Sequence, residues 1–154
     1  MAGAGPGAGP FVWSGYGGAP APPTLPATGP GAADDRYRDA VAGVVERYLR
    51  AVVAHDWDDL AACLAEDVVR VGPFGDTYTP RGPYVEFLSG LMPTLAGYDM
   101  KVERVLYAGS VAVAQLSETV EIDGAAVVTP EALVFDLDAS GRIARIGIYI
   151  QRSG

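Results

Sequence analysis

The stretch VAVAQLSETVEIDGAAVVTPEALVFDL, residues 111–137, decides the fold. Two runs rich in Val, Leu, Ile and Phe flank Asp123-Gly124, a dipeptide that accepts positive φ at both positions and so favours the two-residue turn of a β-hairpin. Such a turn fixes a register: Ile122 faces Ala125, Val120 faces Val127, Glu118 faces Thr129 and Leu116 faces Glu131. Side chains alternate across a strand, so the register sorts the hairpin into two faces. One carries Leu116, Glu118, Val120, Val127, Thr129, Glu131, Leu133, Phe135 and Leu137. The other carries Ser117, Thr119, Glu121, Val128, Pro130, Ala132, Val134 and Asp136. The first is the more apolar and is expected to pack under helices. Two carboxylates, Glu118 and Glu131, then sit diagonally on an interior face.

A carboxylate facing a core costs several kcal/mol unless it is paired, solvated or protonated. Two close together raise the pKa of at least one, which is one way proton-transfer sites are made. The competing expectation is structural: one or both lie at an open rim, or pair with an arginine such as Arg70.

Working outward, Met100 to Tyr107 and Arg142 to Ile150 read as further strands, with Asp138-Ala139-Ser140-Gly141 as a longer turn. Val68 to Val71 reads as a strand ahead of a loop punctuated by Gly72-Pro73-Phe74-Gly75 and Thr79-Pro80-Arg81-Gly82-Pro83. Helices come first. Asp34 or Asp35 can cap a helix whose Tyr37, Val41, Val44, Val45, Tyr48, Leu49 and Val52 recur at helical spacing. Asp56 caps a short second helix with Leu60, Cys63 and Leu64 turned inward, and Pro83 suits the first turn of a third, Tyr84 to about Leu95. Helices followed by an antiparallel meander make an α+β fold, not the alternation of a parallel doubly wound sheet.

Residues 1–33 are Gly-, Ala- and Pro-rich and uncharged, the composition of a flexible tail; residues 34–154 are long enough for one domain. Phe11, Val12, Trp13 and Tyr16 interrupt the tail, and are either mobile or docked on the domain, a dimer partner or the pocket mouth. The start lacks a basic segment followed by an apolar one, and no stretch reaches the ~20 apolar residues of a membrane span, so a cytoplasmic protein is expected. A net charge of −8 repels phosphate backbones, which argues against nucleic acid. The single cysteine, Cys63, excludes an internal disulfide and any multi-cysteine metal site; it reads as core, and His55 as a surface turn residue. No cluster has metal-ligand spacing, and neither a metal nor a cofactor is expected.

Val45-Glu46-Arg47-Tyr48-Leu49, His55-Asp56-Trp57-Asp58-Asp59-Leu60, Leu64-Ala65-Glu66-Asp67-Val68-Val69 and Gly72-Pro73-Phe74-Gly75 occur in order, followed by Arg81-Gly82, Glu86-Phe87 and the final hairpin Phe135 to Ile143. This series resembles the SnoaL-like, ketosteroid-isomerase-like branch of the NTF2-like superfamily across residues 36–151. The resemblance implies a cone of three N-terminal helices packed on a curved antiparallel or mixed sheet, and homodimers formed through the outer sheet face. Val128, Ala132 and Val134, with Ile143 or Tyr149, suit such a face. It also implies roles. The tyrosine that donates to the developing oxyanion in the isomerases falls on Tyr48. Their proton-shuttling aspartate falls on Gly72, and their protonated aspartic acid on Leu133. Two of three groups are absent, so that mechanism is not expected.

Glu118 and Glu131 offer another layout, with Tyr48 as a donor on the facing wall or packed in the core with its hydroxyl satisfied locally. Arg70, at the same parity as Gly72, can orient a glutamate or bind a substrate oxygen. Leu116, Val120, Leu133 and Phe87 are the expected apolar contacts; Tyr78 either closes the pocket mouth or is a plain loop residue. The expectation is a cofactor-free enzyme acting on a small, largely apolar molecule by cyclase, isomerase, epoxide hydrolase or dehydratase type acid–base chemistry. The alternative is a non-catalytic module that binds a hydrophobic ligand or mediates dimerisation.

Overall fold

The computed structural model of the chain describes residues 43–152; the tail aromatics and the proposed caps at Asp34 or Asp35, with Tyr37 and Val41, lie outside them. Helix α1, Val44–Ala54, buries Val44, Val45, Tyr48, Leu49, Ala51 and Val52 along one stripe, the spacing that one helix face requires. It stops at His55, whose positive φ of 55° lets Asp56 N–H reach Ala51 O at 2.9 Å and His55 N–H reach Val52 O at 3.3 Å. That bond pattern satisfies carbonyls a helix end leaves open. His55 itself is exposed and stacks on Trp57. Helix α2, Trp57–Cys63, is capped as expected: the Asp56 side chain accepts from Asp59 N–H at 3.1 Å. Burial pushes the Cys63 thiol up to about 11, so it is a core group and not a nucleophile.

Strands β1 (Leu64–Val71) and β2 (Thr77–Tyr78) follow, then helix α3 (Arg81–Leu91) with a 3-10 turn at Met92–Thr94, and β3 (Asp99–Ala108), β4 (Val111–Ile122), β5 (Ala125–Leu137) and β6 (Ile143–Ile150). The sheet order is β2-β1-β6-β5-β4-β3, antiparallel except where β1 runs parallel to β6. Three helices on a six-stranded mixed sheet give the α+β architecture of NTF2-like proteins.

Three expectations need correction. β1 starts at Leu64, not Val68, because its pairing with β6 shifts register between Leu64 and Val69 and so hides the strand's alternation. Tyr78 belongs to β2, opposite Arg70, since the Gly72–Gly75 turn folds the chain straight back onto β1. Helix α3 begins at Arg81, placing Pro83 within its first turn.

The β4–β5 register is the predicted one throughout, with Leu116 opposite Glu131, Glu118 opposite Thr129 and Ile122 opposite Ala125. Asp123 and Gly124 take φ of 53° and 79°, the positive values the turn demands. Leu116, Leu133, Phe135 and Leu137 are buried under the helices; Val127 and Ile122, beyond the reach of the helices at the hairpin tip, are exposed. On the opposite face Val128 and Tyr149 are exposed, whereas Ile143 is fully buried and does not join that patch. Among the described residues no helix is long and apolar enough to cross a membrane, and no group of three or more His, Cys, Asp or Glu could hold a metal ion.

Candidate active site

The helices and the inner sheet face enclose a cavity of about 300 Å³. Its wall is mostly apolar: Leu49 and Val52 from α1, Leu88 and Leu91 from α3, Met92 and Leu95 just after, and Met100, Ile148 and Ile150 from the sheet. Into this lining the structure brings the expected catalytic and contact residues Tyr48, Arg70, Phe87, Leu116, Glu118, Val120, Glu131 and Leu133, but not Tyr78. Two polar groups face each other's influence across it.

The first stands on β4 and β5. Glu131, only 9% exposed, lies diagonally across the strand pair from Glu118 on the same inner face. Burial, then the proximity and charge of Glu118, raise the Glu131 carboxyl far above its ordinary range, and Arg70 pulls weakly the other way. Glu131 is thus biased toward its neutral, protonated form. Glu118 accepts a short hydrogen bond from the Tyr98 hydroxyl. Burial and the Glu118 charge raise the Tyr98 phenol, so it stays a donor. Tyr98 is held by its loop: Glu121 N–H donates to Ala96 O at 2.8 Å, and Gly97, at φ 62°, has no room for a side chain beside Glu121. Tyr98 was not expected here. It shares the inward parity of Met100, which pairs with Glu118, so extending β3 two residues backwards exposes the signal.

The second group stands on α1, α3 and β1. The Tyr48 and Tyr84 hydroxyls share a short, buried hydrogen bond. Burial raises the Tyr48 phenol most and pushes Tyr84 up to about 12, the latter against the Tyr48 hydrogen bond and the nearby charge of Arg70. Tyr84 too escaped the sequence analysis, although it opens the inward stripe that continues through Phe87, Leu88 and Leu91. Arg70 does not pair with a glutamate. Its Nη1 donates to Asp76 Oδ2 at 2.7 Å, its guanidinium lies 5.7 and 5.5 Å from the ring centroids of Tyr78 and Phe87, and those rings stack on each other. Its Nε is buried without a hydrogen-bond partner.

The Arg70–Asp76 pair also explains Gly72. A Cβ there would lie 2.3 Å from Asp76 Oδ1 and 2.7 Å from Arg70 Nη1, closer than any side chain can stand. Where the resemblance would put an aspartate, this chain has an ion pair. At the other vacated position Leu133 is buried and simply lines the cavity.

The profile of the SnoaL-like domain matches residues 45–146. No functionally curated protein matches the chain in sequence. Among solved structures, a proposed SnoaL-like polyketide cyclase from Shewanella denitrificans superposes with a TM-score of 0.64 at 15% identity, over 71% of this chain and 89% of that one. An LEH-like epoxide hydrolase from M. tuberculosis gives 0.63 at 23% identity, over 73% and 83%. A proposed ketosteroid isomerase from Kribbella flavida gives 0.64 at 19%, over 75% and 81%. These likenesses establish the fold that the strand order and the cavity already describe, and with the profile match they place the chain in the SnoaL-like domain family of NTF2-like proteins.

Proposed function

We propose that the protein is an acid–base enzyme acting on a small, largely apolar molecule, with no cofactor required. One observation carries this: two carboxyl groups, Glu118 and Glu131, on adjacent strands inside a mostly apolar cavity, where burial and the charge of Glu118 raise the Glu131 carboxyl. Glu131 gives its proton to a substrate oxygen while Glu118 withdraws a proton from carbon or from water, so acid and base are both present at neutral pH. The Tyr98 hydroxyl steadies the charge on Glu118 through the cycle. Isomerisation, cyclisation, dehydration and epoxide opening all use this pair of transfers, and the names carried by the structural neighbours fall in the same range.

A panel of small ketones, epoxides and alcohols, followed by mass spectrometry in deuterated and oxygen-18 water, identifies the turnover. Glu131→Gln then lowers the rate roughly 10²–10⁴-fold and leaves ligand affinity within about threefold. Full turnover in Glu131→Gln would sink the assignment. The binding-only alternative is favoured by one fact: the Tyr98 hydroxyl already partners Glu118 without a ligand. It requires that the same substitution move only stability.

A further inference from the structure

Among the described residues Arg70 is the one cation in the lining of the cavity, and neither of the acids lining it, Glu118 and Glu131, is its ion-pair partner. Its counter-charge, Asp76, is 42% exposed and does not line the cavity, while the Arg70 side chain is 12% exposed and does. Asp76 takes one arm at 2.7 Å, the rings of Tyr78 and Phe87, stacked on each other, lie together against the guanidinium at 5.7 and 5.5 Å, and the Gly72 backbone comes close to it. The fork is therefore fixed before any ligand arrives. Such a fork costs little reorganisation when it meets an acceptor. One of its donors, the buried Nε, has no hydrogen-bond partner.

The charges around it choose the acceptor. Arg70 and Asp76 cancel, and the charge of Glu118 stands in the cavity lining beside Glu131. A carboxylate ligand would add a second negative charge to a low-dielectric enclosure, whereas a neutral oxygen adds none. We propose that Arg70, aimed by Asp76, sets specificity by binding one uncharged acceptor oxygen of the ligand, so that the cavity takes apolar molecules bearing a carbonyl-like oxygen and rejects apolar acids. This rests on the cavity being the ligand site and not on which glutamate moves a proton.

Three probes of matched shape test it: benzylacetone (neutral carbonyl), hydrocinnamate (carboxylate) and butylbenzene (no oxygen), titrated by NMR against the full chain and its Arg70→Gln, Arg70→Lys and Asp76→Asn variants. Benzylacetone binds tightest to the unmodified chain. Arg70→Gln weakens it about tenfold, the worth of a hydrogen bond to a charged donor, and leaves butylbenzene within twofold. Arg70→Lys keeps part of the preference. Asp76→Asn removes a negative charge and strengthens hydrocinnamate, an effect a merely structural pair would not produce. Tightest binding of hydrocinnamate by the unmodified chain, or equal weakening of all three probes by Arg70→Gln, overturns the proposal and leaves the glutamate chemistry standing. Failure of all three to bind the unmodified chain overturns both. Should Arg70→Gln fail to fold, Asp76→Asn decides: unchanged hydrocinnamate affinity refutes the charge argument.

Discussion

The two polar walls of the cavity are built on different kinds of backbone. Glu118 and Glu131 stand on a ladder whose pairing runs unbroken from Val111 opposite Asp136 to Ile122 opposite Ala125. Arg70 stands on a strand whose parallel pairing shifts register and whose antiparallel partner, β2, offers two paired residues. On the ladder the main chain alone positions each charge, because parity and register leave no choice of face. On β1 another side chain, Asp76, does the aiming across a tight turn. The glutamate wall is thus built to lose chemistry without losing shape. The arginine wall is built the other way round.

The largest expected effect comes from double substitutions. Glu118 and Glu131 act as a unit, so Glu118→Gln combined with Glu131→Gln should lose little more turnover than the worse single variant. Glu131→Gln combined with Arg70→Gln touches both walls, and its losses should multiply to roughly 10³–10⁵-fold. Measured kcat/KM values for the three single and two double variants check this; additive behaviour within the glutamate pair would mean the two carboxyls act independently.

A glycine from each wall separates the backbones next. Gly72→Asp drives a side chain into Asp76 and Arg70 and should cost about 2–3 kcal/mol by overpacking. Gly124→Ala meets open space but holds φ at 79°, so it costs only about 1–2 kcal/mol of backbone strain. Urea unfolding of both ranks them, and equal costs would erase the distinction.

That contrast also marks what could be seen in the sequence. The hairpin was legible because a two-residue turn and alternation are local signals, and they put both glutamates inside without reference to anything distant. The inward parity of Arg70 was equally legible. Its partner was not: Asp76 reaches Arg70 only because Gly72–Gly75 folds the chain back, and no periodicity reports a side chain's reach. Tyr84 and Tyr98 were missed for a related reason. Each sits at the edge of its element, where the stripe or alternation has barely begun.

The pH dependence of stability is a milder probe of the glutamate wall. The Glu131 carboxyl is raised in the folded state, so the native chain keeps a proton that the unfolded chain releases above about pH 4. Stability linked to that proton is full below that pH and declines as pH rises toward the raised value. Glu131→Gln has no such proton, and its stability relative to the unmodified chain should improve by about 1 kcal/mol between pH 5 and pH 6. Thermal melts at both pH values read this. No such linkage is expected from the arginine wall, so a similar gain in Arg70→Gln would contradict the assignment of the proton to Glu131.

The smallest expected change separates the glutamates from their supporting donor. Tyr98→Phe keeps the ring among Met100 and its neighbours and removes one hydrogen bond to Glu118, at a cost of about 1 kcal/mol. The lost donor had favoured the ionised form of the pair, so the pair should hold its proton to higher pH. The alkaline limb of the activity profile then moves upward, while benzylacetone affinity, governed from the Arg70 side, stays within twofold. A limb that moves downward would show that the Tyr98 hydroxyl serves the neutral form instead. In that event Glu118 would not be the group that accepts protons during turnover, and the direction of transfer between the two glutamates would have to be reversed.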